Sequence, residues 1–359
     1  MTVPAGSATA PARAGDPTVS PPPARSPWTW RALIRWGLAL LVSAGLLVWL
    51  FASREVDPWS LGALLAAVSP AGVLAFLLVS LAALLLRTLR YWILLGRRAP
   101  LWPLTLVTLV RNLFVDFLPA RIGAAASYLY LVTARLGLPA EAAIASFTLS
   151  FVLDTLALAP LLIGAVLVVG DTPLPPMLVV AGSLVLLVGS IAALLVLAPG
   201  LRVAAALAGR LPHPFRRAAA PLRRAAGEVR QVDAVRVLGP ALVLSLLLRV
   251  AKYGAYYCLL QALLVGQGHA WWSLDPLRVF LSIAGAELAA SLPLPTIASL
   301  GPYEVAGAIG FEFWLGLPRE LAALAATAFH ALSQIHDYGL GLLAFLWIMA
   351  PWAVRQRAR

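Results

Sequence analysis

The stretch LRTLRY, residues 86–91, places two arginines and a tyrosine inside a long apolar segment. The stretch LRVAKY, residues 248–253, repeats this arrangement with an arginine, a lysine and a tyrosine in a second apolar segment. In both stretches the two basic residues are three positions apart, so they share one face of a helix. Charged side chains inside a membrane span are costly and usually functional. The two stretches therefore indicate a repeated, functional helix within a membrane.

Each of these helices is followed by an apolar region that proline and glycine interrupt. The first interruption reads FLPARIG at residues 117–123, and the second extends over residues 291–304 and ends in GPYE. Proline removes a helix hydrogen-bond donor, and glycine permits the backbone to turn. Paired broken segments in corresponding halves of a hydrophobic chain are typical of transporter binding sites. We predict hairpin breaks at Pro119, Gly123, Pro293, Pro295, Gly301 and Pro302.

The composition defines the broad class of the protein. Of its 359 residues, 61% are apolar and only 12% are charged, and the mean hydropathy is +0.89. Such a chain cannot be arranged around one soluble core, so we predict a polytopic membrane protein. The single cysteine, Cys258, excludes a disulfide framework, and the four histidines lack metal-binding spacing. We expect no metal site and no cofactor.

Apolar stretches of about 20 residues are long enough to cross a bilayer. We predict about six full spans, at residues 36–52, 70–96, 140–169, 176–199, 237–265 and 321–350. Two further apolar regions, 101–137 and 276–317, are interrupted near their middles. We predict that both form re-entrant broken helical hairpins, the first entering from the cytoplasm and the second from outside. The predicted fold class is therefore all-α.

The distribution of charge predicts the orientation in the membrane. The net charge is +12, and eight arginines lie within residues 200–236. Basic loops stay on the cytoplasmic side, so we place this loop and the basic tail 353–359 there. The acidic links near 53–69, 170–175 and 266–275 are predicted to lie outside. The Pro- and Ala-rich residues 1–30 are predicted to be a disordered cytoplasmic tail, and nucleic-acid binding is not expected.

The membrane domain, residues 31–352, divides into two similar parts. Its halves, about 31–170 and 176–352, each read span, span, broken hairpin, span, with opposite orientations. An acid also recurs in the span after each hairpin, as Asp154 and Asp337, each preceded by an alanine-rich run. These matches predict an inverted-topology repeat, the arrangement of many transporters.

Twelve ionisable side chains fall within or beside the predicted membrane segments. At roughly 2.5–3.5 kcal/mol each, twelve charges facing lipid would cost on the order of 30 kcal/mol. They must therefore face one another, broken-helix ends or a water-filled cavity. Arginine suits a phosphate diester, and the free N–H groups of a half-helix start add an anion site. We predict substrate contacts from Arg87, Arg90, Tyr91, Arg111, Arg121, Arg249, Lys252, Tyr253 and Glu304, with Asp116, Asp154, Glu287 and Asp337 as their charge partners.

The same charges also have a purely structural interpretation. Arg87 with Asp116 or Asp154, and Arg249 with Glu287 or Asp337, would then be buried pairs that hold the bundle together. The side chains of Arg90 and Lys252 would instead reach towards the membrane interface. Both interpretations stay open on the sequence alone.

Several of these motifs resemble a known family. RNLF at residues 111–114, LPARIG at 118–123, Asp154, and LP and GPYE at 292–293 and 301–304 are similar to the lysylphosphatidylglycerol synthase transmembrane-domain, or flippase-like domain, family. The similarity covers about residues 30–350. It implies an integral membrane module with paired re-entrant hairpins, which in bacterial aminoacyl-phosphatidylglycerol synthases moves the modified lipid between leaflets.

The chain also departs from this family. Ala124, Ala125 and Ala126 stand where the family usually has a glutamate and an arginine, and Ser150 stands where it has another arginine. Headgroup contacts through those side chains would be absent. The larger relatives carry a soluble aminoacyl-transferase domain, but this chain stops at Arg359. We therefore expect neither amino-acid transfer nor other enzyme activity.

These observations together predict translocation of an anionic phospholipid or lipid-linked envelope precursor through a central polar cavity of the inner membrane, with both termini cytoplasmic. The expected partners are the lipid and the membrane, and an envelope-synthesis enzyme is a candidate protein partner. Three alternatives remain. They are a membrane-embedded accessory or transferase in lipid-linked glycan synthesis, a small-anion transporter, and a scaffold for an envelope enzyme.

Overall fold

The computed structural model describes residues 30–54, 56–115, 122–170, 176–212, 215–292, 294 and 296–350. These residues form helices and connecting turns and contain no strand, which confirms the all-α prediction. The α-helices are α1 (Trp30–Ser53), α2 (Pro58–Ala66), α3 (Pro70–Leu94), α4 (Leu101–Leu113), α5 (Ile122–Ala134), α6 (Ala140–Val169), α7 (Pro176–Arg210), α8 (Ala219–Gln231), α9 (Gly239–Val265), α10 (Pro276–Ala290), α11 (Pro302–Leu315) and α12 (Arg319–Met349). The predicted tails 1–30 and 353–359 lie outside the described residues, apart from Trp30.

Four described helical segments are both long enough and apolar enough to cross a membrane. They are Pro70–Leu94, Ala140–Val169, Val180–Arg210 and Ala234–Val265. Helices of 25–32 residues measure about 37–48 Å, more than the bilayer core of about 30 Å. The protein is therefore a multi-pass membrane protein. A count of six full spans stays a prediction for α1 and α12, which have 24 and 31 residues.

The two links predicted as loops after the first span of each half contain helices. The link near 53–69, which the sequence predicts to lie outside, contains α2. The basic segment 200–236 contains the end of α7 and all of α8. A short 3-10 turn, Phe215–Ala218, and a π-helical turn, Ala234–Leu238, complete this segment. The prediction of a 200–236 loop rested on the charge of this segment and missed these helices. Arginine and alanine, which dominate there, are good helix formers, so the composition could have indicated them.

Both interrupted regions form pairs of short helices. The helices α4, α5, α10 and α11 have 13–15 residues. Each is about 20 Å long, too short to cross the bilayer alone. Within each pair the two helices pack against each other. The interrupted regions are thus broken hairpins, as the sequence predicts.

Glycines mark the start of the second helix in each pair. A Cβ on Gly123 would lie 2.1 Å from the Phe114 carbonyl oxygen at the end of α4. Gly301, with a φ of +99°, precedes Pro302 and packs against Leu46 of α1. Only glycine adopts this conformation readily. The predicted breaks at Gly123, Gly301 and Pro302 therefore fall at helix starts, whereas Pro119, Pro293 and Pro295 lie outside the described residues.

Equivalent helices of the two halves run in opposite directions. Along α3 and α9, Gly72 lies against Ala262, Val79 against Gly254, and Arg90 against Ser245. Since the α9 residue number falls as the α3 number rises, the two helices are antiparallel. The order of elements is also the same in both halves, including the short helices α2 and α8. An inverted repeat requires both features.

Further packing relates the two halves in the same manner. The helix after the first hairpin, α6, packs on α8, and the helix after the second hairpin, α12, packs on α2. Each hairpin also reaches across to the other half, since α4 packs on α12 and α10 packs on α6. The groups carried by α3, α6, α9 and α12 are thereby brought to the centre of the molecule.

The close approach of α3 to α9 predicts a stability difference between two glycine variants. A Cβ on Gly72 would lie 2.9 Å from the Ala262 Cα, whereas one on Gly189 of α7 would meet no atom within 4 Å. We expect Gly72→Ala to destabilise the protein by about 1–3 kcal/mol because α9 must shift. Gly189→Ala should be neutral or stabilising by up to about 1 kcal/mol. Thermal unfolding in detergent measures both, and equal midpoints would contradict this packing.

Candidate functional site

A buried ion pair joins three of the central helices. Arg90 of α3 is 1% exposed and donates to both carboxylate oxygens of Asp154 on α6, at 2.6 and 3.1 Å. The same guanidinium donates to Ser150 Oγ at 2.6 Å and to Ser245 Oγ of α9 at 2.9 Å. Bidentate arginine–carboxylate pairs are the strongest hydrogen-bonded ion pairs in proteins. Arg90 therefore fastens α3, α6 and α9 together.

Arg90 and Tyr91, which the sequence predicts as substrate contacts, are both covered by neighbouring helices. Every donor of Arg90 that has a partner faces a neighbouring helix, and Arg90 is not among the residues that line the central cavity. Tyr91 is fully buried and its ring packs on Tyr128 with centroids 4.6 Å apart. Helix spacing placed both residues near the site but could not show that adjacent helices cover them. The structural interpretation paired Asp154 with Arg87 and placed the Arg90 side chain towards the interface, whereas in the structure Arg90 is buried and itself pairs with Asp154.

A second cluster of charges lies on α9 and α10. Arg249 donates to the Asp154 carbonyl oxygen from Nε and Nη2, at 3.3 and 3.2 Å. Its Nη1 lies 3.9 Å from Glu287 Oε2. Glu287 also pairs with Lys252 and accepts a 2.9 Å hydrogen bond from the Tyr253 hydroxyl. The Arg249–Glu287 pairing is one of those that the sequence predicts. Tyr253, which the sequence predicts as a substrate contact, donates to Glu287 and helps to position it.

Two further arginines differ from the ion-paired residues above because both donate to the same neutral hydrogen-bond acceptor. Arg87 of α3 and Arg111 of α4 donate to the same oxygen, Asn112 Oδ1, at 2.9 and 3.2 Å. Among the described residues no carboxylate lies within 4 Å of either guanidinium. The Nε of Arg111 is buried with no hydrogen-bond partner there. Asp116, a predicted charge partner, and Arg121, a predicted substrate contact, lie outside the described residues. Within the described part, no carboxylate forms a direct ion pair with Arg87 or Arg111.

Most of the charged groups described above, but not Arg90, line one cavity at the centre of the molecule. Its volume is about 140 Å³. Both halves contribute to its wall, which includes seven residues that the sequence predicts. Those seven are Arg87, Arg111, Asp154, Arg249, Lys252, Glu287 and Asp337. Asn112, Tyr256, Ser299, Tyr303, His330, Ser333 and Gln334 complete the polar part of the wall. The predicted convergence of charges from both halves on one polar cavity is therefore present in the structure.

Asn112, which the sequence prediction left out, proves to be central to the cavity. It lies in the RNLF run directly after Arg111, and its amide oxygen serves both arginines. The signal that could have identified Asn112 is a neutral amide directly beside a cation and close to a predicted helix break. Asp337, in contrast, is at the predicted place, and its closest ionisable neighbour is His336 at 3.1 Å.

An apolar groove of about 270 Å³ continues from the cavity towards the side of the molecule. It lies between α3, α4, α9 and α12, and its apolar wall includes Phe76, Leu77, Leu81, Leu84, Leu109 and Leu340. The groove and the cavity share Arg87, Asn112, Lys252, Tyr256, Ser333 and Asp337. Leu81 at its lip is 51% exposed on the outer face of α3. A polar chamber therefore opens sideways into an apolar channel.

Glu304, which the sequence predicts as a substrate contact, is engaged in contacts within the protein. It is 0% exposed and accepts the Gly301 N–H at 2.6 Å, which caps the start of α11. Its other oxygen lies 2.6 Å from Nδ1 of His330. The spacing of Gly301 and Glu304 matches the helix-capping pattern in which the third residue reaches back to the cap. That pattern could have shown its capping role from the sequence.

The fold and the cavity together define a class. The protein is an all-α, multi-pass membrane protein whose two antiparallel halves enclose an intramembrane charged cavity that opens into an apolar groove. The chain belongs to the lysylphosphatidylglycerol synthase TM region family, whose family model matches residues 36–341. This membership makes it a membrane protein of lipid metabolism or flipping. No curated protein and no solved structure matches the chain.

Removal of Arg90 should be far more damaging than removal of an exposed arginine. Arg90→Ala leaves the Asp154 carboxylate buried without its main partner, which costs about 3–5 kcal/mol. Adding Asp154→Asn to this variant removes the orphaned charge and should restore part of the loss. Arg98→Ala, on an exposed turn, serves as the matched control. Thermal unfolding measures all three, and an Arg90→Ala midpoint equal to that of the control would contradict the role of the pair.

Proposed function

We propose that this protein translocates an anionic phospholipid, or a lipid-linked envelope precursor, between the leaflets of a bacterial inner membrane. The proposal includes cytoplasmic termini and no chemical change in the lipid. Its main support is the placement of Arg87 where the polar cavity meets the apolar groove, with Arg111 beside it in the cavity wall. Family membership supports action on a phospholipid.

The charge of the cavity favours an anionic headgroup. Arg87 and Arg111 share a neutral amide oxygen and have no direct ion-pair partner among the described residues, so a phosphate would supply one to both. The planar guanidinium matches two phosphate oxygens at once. The unpartnered Nε of Arg111 adds a donor that is already removed from bulk water. Binding an anion there would satisfy a donor whose burial otherwise costs about 1–3 kcal/mol.

The apolar groove supports a lipid rather than a free anion as the ligand. A headgroup phosphate beside Arg87 would leave its hydrocarbon chains within reach of Leu84 and Leu340 in the groove. The exposed lip at Leu81 would let those chains extend into the surrounding bilayer. The headgroup would then cross the membrane through the polar cavity while the chains stay in an apolar environment. This arrangement avoids the cost of moving a charge through hydrocarbon.

The broken hairpins supply the parts that could move during transport. Ala298 and Ser299 in the second break have φ values of 52° and 59°, which non-glycine residues rarely adopt. Ser299 lines the cavity, and the Ile297 N–H is held by Ser43 Oγ of α1 at 3.0 Å. Strained breaks beside a binding site are typical of segments that change conformation. We infer that the second break bends when access to the cavity changes sides.

Small-anion transport is the second candidate, and the size of the polar cavity favours it. A cavity of about 140 Å³ would hold a phosphate-sized group, but it would leave the adjoining groove without a role. Uptake of radiolabelled phosphate or sulfate by vesicles containing the purified protein tests this alternative directly.

The headgroup site predicts a large defect on removal of Arg87. We expect Arg87→Ala to slow the movement of NBD-labelled phosphatidylglycerol across proteoliposome membranes by about 10- to 100-fold. Loss of one hydrogen bond to a charged group costs about 1.5–3 kcal/mol. Arg98→Ala should retain the rate of the unaltered protein because Arg98 is exposed and far from the cavity wall. Dithionite quenching of the NBD group measures the rate, and equal rates for both variants would rule out the proposed site.

The groove predicts a different pattern for two adjacent leucines. Leu84 lines the groove, whereas its neighbour Leu85 is 50% exposed and does not. We expect Leu84→Trp to fill the groove and slow lipid movement severalfold, and Leu85→Trp to have little effect. The dithionite assay measures both variants. If Leu84→Trp leaves lipid movement unchanged, the lipid chains do not use this groove.

A further inference from the structure

The Glu304–His330 pair has no direct role in holding the headgroup in the proposal above, yet it is the most deeply buried ionisable pair in the described part of the chain. Glu304 Oε1 lies 2.6 Å from His330 Nδ1, and Oε2 accepts the Gly301 N–H. The Tyr303 ring stacks on the imidazole with centroids 4.1 Å apart. This pair therefore lies at the break of the second hairpin. The Gly301 N–H and the Tyr303 ring hold it in place in addition to the contact between Glu304 and His330.

The surrounding hydrogen bonds assign the proton on the imidazole. The Gln334 amide nitrogen lies 2.9 Å from His330 Nε2. An amide nitrogen only donates, so Nε2 accepts and the ring proton lies on Nδ1, which donates to Glu304. Rotation of the Gln334 amide would place its oxygen at Nε2 instead, where it could accept from a protonated ring. The site can thus accommodate His330 both as neutral imidazole and as imidazolium.

His330 lies between Glu304 and the cavity. The imidazole lines the cavity wall, while Glu304 does not reach it. A proton in the cavity would therefore meet His330 Nε2 first and would form an ion pair with the carboxylate behind it. The other ionisable groups that face this cavity come from α3, α4, α6, α9, α10, α11 and α12. They are Arg87, Arg111, Asp154, Arg249, Lys252, Tyr256, Glu287, Tyr303 and Asp337.

We propose that His330 binds one proton at Nε2 together with each anionic headgroup, so that lipid translocation is coupled to proton movement. This inference rests on the proposed function and names its coupling ion. The proton comes from water on one side of the membrane, resides on the imidazole as an ion pair with Glu304, and leaves to water on the other side. No covalent bond changes.

The coupling follows from charge. A proton on His330 adds a positive charge to the wall that holds the anion, so each ligand strengthens the binding of the other. Binding linkage makes this effect reciprocal. Departure of the headgroup leaves the imidazolium facing Arg87, Arg249 and Lys252 across the cavity, which favours release of the proton.

Proton binding also acts on the hairpin break. The Glu304 carboxylate caps α11 through Gly301, whose φ of +99° marks the break itself. When His330 becomes charged, its contact with the Glu304 carboxylate gains the attraction between two opposite charges in addition to the hydrogen bond. The start of α11 is then tied more firmly to α12. Protonation would thus bias the position of the segment that we expect to move.

The steady-state distribution of lipid between leaflets tests this coupling. Proteoliposomes containing NBD-labelled phosphatidylglycerol are given a proton gradient, and dithionite reports the fraction in each leaflet. A protein that only equilibrates lipid gives the same distribution with and without the gradient. One coupled proton should shift the ratio by up to about tenfold per pH unit, because one unit corresponds to 1.36 kcal/mol. A protonophore should abolish the shift, and protein-free vesicles give the background.

His330→Gln should lose the shift, and Glu304→Gln is the second variant in case the first fails to fold. His269→Gln and Glu320→Gln, on an outer loop and on the exposed first turn of α12, are the matched controls and should retain it. A shift retained in His330→Gln but lost in Asp337→Asn would assign coupling to the aspartate and overturn the proposal. Lipid movement without any shift in the unaltered protein would overturn it too. No lipid movement at all would instead contradict the proposed function.

Discussion

The bidentate contact between Arg90 and Asp154 is the interaction on which the rest of the structure depends. It neutralises two charges where water is scarce, and the hydroxyls of Ser150 and Ser245 occupy further donors of the guanidinium. The backbone carbonyl of Asp154 also accepts hydrogen bonds from Arg249. The helices α3, α6 and α9 are therefore fixed around one centre, and the remaining cations face inwards from a rigid frame.

Much of this architecture could be predicted from the sequence because membranes restrict the choices. Long apolar runs must be helices, since lipid offers no partner for free backbone groups. Breaks such as Gly123 and Gly301 are visible because few residues other than glycine fit there. The helices within 200–236 were missed since their polar surface resembles that of a loop. The rule that places basic segments on the cytoplasmic side uses the charge of a segment and does not predict its backbone conformation.

The candidate site was predicted less completely, and the reason is geometric. Arg87 and Arg90 lie three positions apart, which separates their directions around the helix by about 60°. That rotation is enough for Arg87 to face the cavity while Arg90 enters the seam between α6 and α9. Only the positions of the neighbouring helices decide which arginine faces the cavity and which is buried between helices. Polar residues such as Asn112 carry no charge to signal their importance, although one of them connects two cations.

The single amide oxygen shared by Arg87 and Arg111 has a consequence for the stability of the protein. Asn112 holds the two guanidinium groups near each other without forming an ion pair with either. An anion bound between them would add a charged partner that neither arginine has among the described residues. A ligand that binds only the folded state stabilises it by mass action. Resistance to heat would then rise with the correct lipid, and the protein would itself report which headgroup it carries.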